Sequence, residues 1–168
     1  MPAISATCRL GAQICLALLL VGTSAVAGHA QSRKPSVEEI AAIRDCAKKY
    51  ETDLDEGERH CLFNLVGTPC TEKPDGLSNL GRVDCYRLEG AIWDDLLNEN
   101  YQRLAADLDD RQKAKLRDMQ RAWIAYRDTT CGFYDTKIQG SMALPMGAAC
   151  AARETARRAL LLKFFNGL

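Results

Sequence analysis

Residues 83–108 read VDCYRLEGAIWDDLLNENYQRLAADL, and the spacing of their apolar side chains decides the fold. Val83, Tyr86, Gly90, Trp93, Leu97, Tyr101, Leu104 and Leu108 follow one another at steps of three and four. Only a helix stacks such residues on one face, because about 3.6 residues make a turn. Strict alternation of apolar and polar residues, which would mark a half-buried strand, is absent from the chain.

Downstream, Asp109-Asp110-Arg111-Gln112 breaks the stripe and offers a side-chain cap to a new helix. That helix carries Leu116, Met119, Trp123, Tyr126, Thr130 and Tyr134 on one side and a dense set of Arg, Lys and Asp on the other. Gln139 to Ala149 holds Gly140, Gly147 and Pro145 and reads as a connector, with a last helix running from Cys150 through Thr155, Arg158 and Leu161 to Phe165. Upstream, Ser36-Val37-Glu38-Glu39 is a capping box opening a first helix, whose stripe is Val37, Ile40, Ala47, Tyr50 and Leu54. A shorter helix is expected from Asp55 or Glu56, carrying Cys61, Leu62, Leu65 and Val66 and stopping near Gly67-Thr68-Pro69. Lys73 to Asn79 reads as a loop because of Pro74, Asp75 and Gly76. The expectation is an all-α fold, an antiparallel helical bundle of about five helices.

Residues 1–30 read as a secretory signal peptide: Arg9 is their only charge, an uncharged run spans Leu10 to Ala27, and the end is rich in small residues. Cleavage is expected after Ala27 or Ala30, leaving 31–168 as a single domain. The apolar run is shorter than the ~20 residues that span a bilayer, and Gln13 argues against a lipobox at Cys15. Cleavage after Ala30 leaves 138 of the 168 residues, with 21 basic and 22 acidic side chains. That near-zero balance argues against nucleic acid as a partner, and no later stretch is apolar enough to predict a membrane span in the mature chain.

Cys8 and Cys15 leave with the leader, and six cysteines remain. An even number in an exported chain reads as disulfides. Their connectivity follows from the reversals. The midpoint of Cys46 and Cys61 falls in the polar Thr52–Gly57 stretch, that of Cys70 and Cys85 beside Lys73-Pro74-Asp75-Gly76, and that of Cys131 and Cys150 at Gly140-Ser141. Residues equidistant from a turn sit level on antiparallel neighbours, near the ~5.5 Å Cα separation a disulfide needs. The expected pairs are Cys46–Cys61, Cys70–Cys85 and Cys131–Cys150. No metal and no cofactor are expected: the cysteines lack the short ligand steps of a zinc site, and His60 is the one histidine after the leader.

Reactive chemistry is equally scarce. One histidine and paired cysteines assemble neither a Ser-His nor a Cys-His centre. Asp94-Asp95 and Asp109-Asp110 are adjacent in sequence, so on a helix they diverge by about 100° rather than facing each other. The chain therefore reads as a non-enzyme.

Three segments, taken in order, carry a resemblance. They are Asp94-x-x-Leu97-Asn98-x-x-Tyr101-x-x-Leu104, then Gln120-x-x-Trp123-x-x-Tyr126-Arg127-x-x-x-Cys131, then Cys150-x-x-x-x-Thr155-x-x-Arg158. Together, over roughly residues 83–162, they resemble the N-terminal domain of the LprI-type lysozyme inhibitor family. The resemblance implies an exported all-α domain, with lysozyme inhibition known for the founding type. The motif residues read as scaffold. Trp123 is expected in the core, Arg127 in a buried ion pair with Glu89, Asp94 or Glu154, and Asn98 in an inter-helix hydrogen bond; Thr155 and Arg158 are read as Asn98 is.

Two functions stay open: inhibition of a periplasmic or extracellular lysozyme, and an envelope adaptor or structural role without inhibition. Either needs a protein-binding surface. Two loops are candidates: Gln139–Gly147, which offers Met142, Leu144 and Met146, and Thr71–Arg82, which offers Lys73 and Arg82. A disulfide at the base of each would lower the ordering cost of binding.

Overall fold

The computed structural model describes residues 33–168, so the expected leader, its cleavage site, Cys8 and Cys15 lie outside the described residues. Six α-helices follow one another: α1 Val37–Lys49, α2 Leu54–Cys61, α3 Gly67–Thr71, α4 Asn79–Ala106, α5 Asp110–Lys137 and α6 Ala143–Phe165. A single 3₁₀ turn, Pro74–Gly76, lies between α3 and α4. No strand occurs among the described residues, and no described helix is long and apolar enough to cross a membrane.

Two caps are those the sequence announces, and two more are found in the structure. Ser36 and Glu39 satisfy each other's backbone N–H groups at the start of α1, and Asp109 and Gln112 do the same for α5. Asp53 caps α2 and Ser78 caps α4. Three boundaries differ from expectation, two of them at prolines; α1 stops at Lys49, so Leu54, read as the end of its stripe, opens α2 after the Asp53 cap instead. The second helix ends at Cys61, and Pro69 then sits in the first turn of a separate helix, α3, where its missing N–H removes no intrahelical bond. Likewise α6 begins at Ala143 rather than near Cys150, with Pro145 tolerated in its first turn. The connector before it shrinks to Ile138–Met142.

Two reversals make α4 and α5 antiparallel, and α5 and α6 antiparallel, so α4 and α6 run parallel. Their contacts advance together: Gly90 meets Ala152, the buried Asn100 donates from Nδ2 to the Ala159 carbonyl (3.1 Å), and Asn166 donates to the Asn100 carbonyl (3.1 Å). Trp93, Ile43, Ile92 and Leu162 are fully buried where α1, α4 and α6 meet. α5 flanks α6 and buries only Leu116 and Cys131.

Disulfides join Cys46 to Cys61, Cys70 to Cys85 and Cys131 to Cys150, with Cα separations of 5.7, 5.5 and 5.4 Å. The first ties α1 to α2, the second α3 to α4, and the third α5 to α6. In the chain-entropy picture a loop of this size stabilises by about 3 kcal/mol.

The segment between α2 and α3 reverses sharply through Phe63, the one non-glycine among the described residues with positive φ (61°). A fully buried carboxylate holds it. Glu89 of α4 accepts from the backbone N–H groups of Phe63 (2.8 Å) and Gly67 (2.6 Å) and from the Trp93 indole N–H (3.0 Å). Burial pushes its carboxyl above the usual carboxylate range, and the three donors act against that rise.

Candidate functional site

The loops picked from the sequence converge. Asn79, at the start of α4, donates to the Ser141 hydroxyl in the turn before α6 (3.0 Å). Just beyond, Arg82 and Tyr86 of α4 and Met142, Pro145, Met146 and Ala149 line one hollow of about 120 Å³. Met142 and Met146 remain 46% and 38% exposed, and Leu144, at 50%, faces the adjoining groove. Lys73 does not join them. It caps the 3₁₀ turn, and its charge reaches Glu39 of α1 instead. The sequence reading missed Leu77 and Leu80, which are strongly exposed on either side of the segment that bonds Ser141. Two leucines flanking a serine cap were the available signal.

The parts of this face are braced at both bases. Cys70–Cys85 fixes the approach to α4 and Cys131–Cys150 fixes the start of α6 to α5. Gly81 is required where the 3₁₀ turn folds back: a Cβ there would lie 1.9 Å from the Asp75 carbonyl oxygen.

Beside the face, α4 and α5 splay apart over α6 and leave an open groove of about 660 Å³. Its floor is small, with Gly90, Ala148, Ala151 and Ala152, and Asp94, Asp128 and Asp135 stand on its walls with Arg87. Asn98 donates to Asp94 (3.1 Å), and Arg127 pairs with Asp128 (2.8 Å).

These contacts correct four expectations, for Asn98, Arg127, Trp123 and Thr155. Asn98 bonds within its own helix, one turn back, and the inter-helix role belongs to the buried Asn100. Arg127 takes none of Glu89, Asp94 or Glu154. Glu89 is committed to N–H donors and Glu154 to Arg157 (3.0 Å), so Arg127 lies over the Trp123 ring (4.9 Å) and pairs with its neighbour Asp128. Trp123 itself is only partly buried and Tyr126 is 54% exposed, because α5 has a packing partner on one side alone. Gln120 accepts from Arg158 Nε (2.9 Å), while Arg158, 6% exposed, has its Nη2 without a partner and its charge over the same Trp123 ring at 5.7 Å. Burial lowers its pKa. Thr155 is buried and donates back to the Ala151 carbonyl (2.8 Å), Leu97 is buried, and Tyr101 packs at the core edge.

His60 is exposed, bonded to Glu56 (2.9 Å) and stacked on Tyr50. Asp109 is spent on its helix cap. No group of three or more His, Cys, Asp or Glu able to hold a metal ion occurs among the described residues.

A model of the family described as "Lysozyme inhibitor LprI" matches residues 70–162, just over half of the chain. The match takes in α4, α5, most of α6 and two of the three disulfides, and with them the whole braced face. No curated protein and no solved structure matches.

Proposed function

The chain belongs to the lysozyme inhibitor LprI family, and from that premise we propose that it is an exported protein of the periplasm or exterior that inhibits a lysozyme-type muramidase through the face around Arg82, Met142, Leu144 and Met146. The observation that carries this reading is the convergence of one cation and three exposed apolar side chains on two helix starts, each held by a disulfide. A muramidase cleft presents two carboxylates. A guanidinium set among flexible methionines supplies both charge and adaptable contact area for its rim. Pre-organisation by the two staples keeps the ordering cost of binding low.

One observation favours the second reading, a non-inhibitory envelope adaptor. The turn before α6 spans only Ile138–Met142, so the face is broad rather than a finger that enters a cleft. Titrating the exported protein against c-type and g-type lysozymes separates the two. Inhibition at nanomolar to micromolar concentration, weakened at least about tenfold by Arg82→Glu, supports the inhibitor. Absence of any effect at roughly 50 μM removes it and leaves the adaptor.

A further inference from the structure

At the other end of the bundle, where the α4–α5 hairpin meets the end of α6, a second groove of about 590 Å³ opens. Leu104, Leu108, Leu116, Met119 and Phe165 line it, and Arg111 and Lys115 stand at its edge, one helical turn apart on α5. Among the described residues neither cation has a carboxylate within 4.0 Å. The nearby acids are engaged or exposed to solvent: Asp109 caps α5, Asp118 pairs with Arg121, and Asp107 and Asp110 are exposed. Gln112, the remaining polar group, is tied to the Asp109 backbone (2.9 Å).

We propose that this groove binds one long-chain fatty acid, its hydrocarbon along Leu104, Leu108, Leu116, Met119 and Phe165 and its carboxylate between Arg111 and Lys115. The division of the lining carries the assignment. An extended peptide would bring backbone N–H and C=O groups that the apolar walls leave without partners, whereas an alkyl chain makes no such demand. Two unpaired cations at one edge complement a single anionic head. The volume lies in the range of small-molecule sites.

The exported full-length product is titrated calorimetrically with myristate, with neutral dodecyl maltoside below its micelle concentration, and with an acidic amphipathic peptide. One-to-one saturable binding of myristate, weakened about tenfold in R111E/K115E and weaker for the maltoside, is the expected result. Both substitutions are on the surface, and circular dichroism checks that the variant is folded. Leu108→Gln, which keeps both charges, is expected to weaken myristate as well. Three results overturn the proposal: no saturable binding of myristate, binding indifferent to R111E/K115E, or tighter binding of the peptide. Lysozyme inhibition is measured in parallel and is unaffected by R111E/K115E, since those residues lie at the opposite end from Arg82.

Discussion

Glu89→Gln tests how the buried carboxylate holds the α2–α3 reversal. One oxygen, Oε1, accepts from Phe63 N–H and Trp93 Nε1–H, and Oε2 accepts from Gly67 N–H at 2.6 Å. A glutamine keeps the first pair through its carbonyl but turns an NH₂ toward the Gly67 N–H, so one buried donor loses its acceptor. Such a loss costs about 1–3 kcal/mol, and a domain of this size loses roughly 4 °C of Tm per kcal/mol. A fall of roughly 4–12 °C in thermal unfolding, with the disulfides intact, is expected. The pH dependence adds a second constraint. Because burial raises the folded-state pKa above the ordinary 4.5, Glu89 contributes most below that value, and its contribution is lost as pH rises through the folded pKa. Subtracting the variant's stability from that of the natural chain isolates this group, and the difference is expected to be larger at about pH 4 than at about pH 8. An unchanged Tm, or a difference that grows with pH, refutes the reasoning; the latter would mean that the three donors outweigh burial.

Arg158→Met is expected to be nearly neutral or stabilising in denaturant unfolding, within about 1 kcal/mol of the natural chain, because the buried guanidinium has no carboxylate and one unpaired nitrogen. A loss above about 3 kcal/mol would show that the Gln120 and Trp123 contacts dominate. Gly81→Ala is expected to destabilise by more than about 3 kcal/mol, or to prevent recovery of folded protein, since its Cβ meets the Asp75 carbonyl at 1.9 Å. Replacing Cys131 and Cys150 together with Ala is expected to cost about 3 kcal/mol and to weaken lysozyme inhibition more than double replacement of Cys46 and Cys61, whose bond ties α1 to α2, neither of which lines the face. Equal effects of the two pairs on inhibition would place the binding face elsewhere.

The fold was legible where a single physical rule governs. The step pattern from Val83 to Leu108 marked α4, and the capping signals at Ser36 and Asp109 marked two helix starts. What stayed illegible depended on neighbours. Pro69 and Pro145 read as breakers, yet each occupies a first turn, and only the structure shows which side of the proline the helix lies on. The apolar stripe of α5 placed Trp123 and Tyr126 on one buried face, yet packing against α6 leaves Trp123 only partly buried and Tyr126 in solvent. Glu89 lies one turn before Trp93, a spacing that hinted at its indole bond, but its backbone partners Phe63 and Gly67 are remote in sequence. For the candidate face, exposed methionines near a cysteine were visible in advance, whereas their meeting with Arg82 and the exclusion of Lys73 required the parallel run of α4 and α6.

Among the described residues the six cysteines pair in consecutive order, with partners 15, 15 and 19 residues apart. A polypeptide threaded N-terminus first through a translocon presents its thiols in that same order. Whichever cysteine has just emerged into an oxidising compartment therefore finds its native mate as the following arrival, before any competitor from the next pair is available. Vectorial oxidation alone is therefore expected to yield the native connectivity, and oxidative folding of the exported chain is expected to proceed at the same rate with and without a disulfide isomerase.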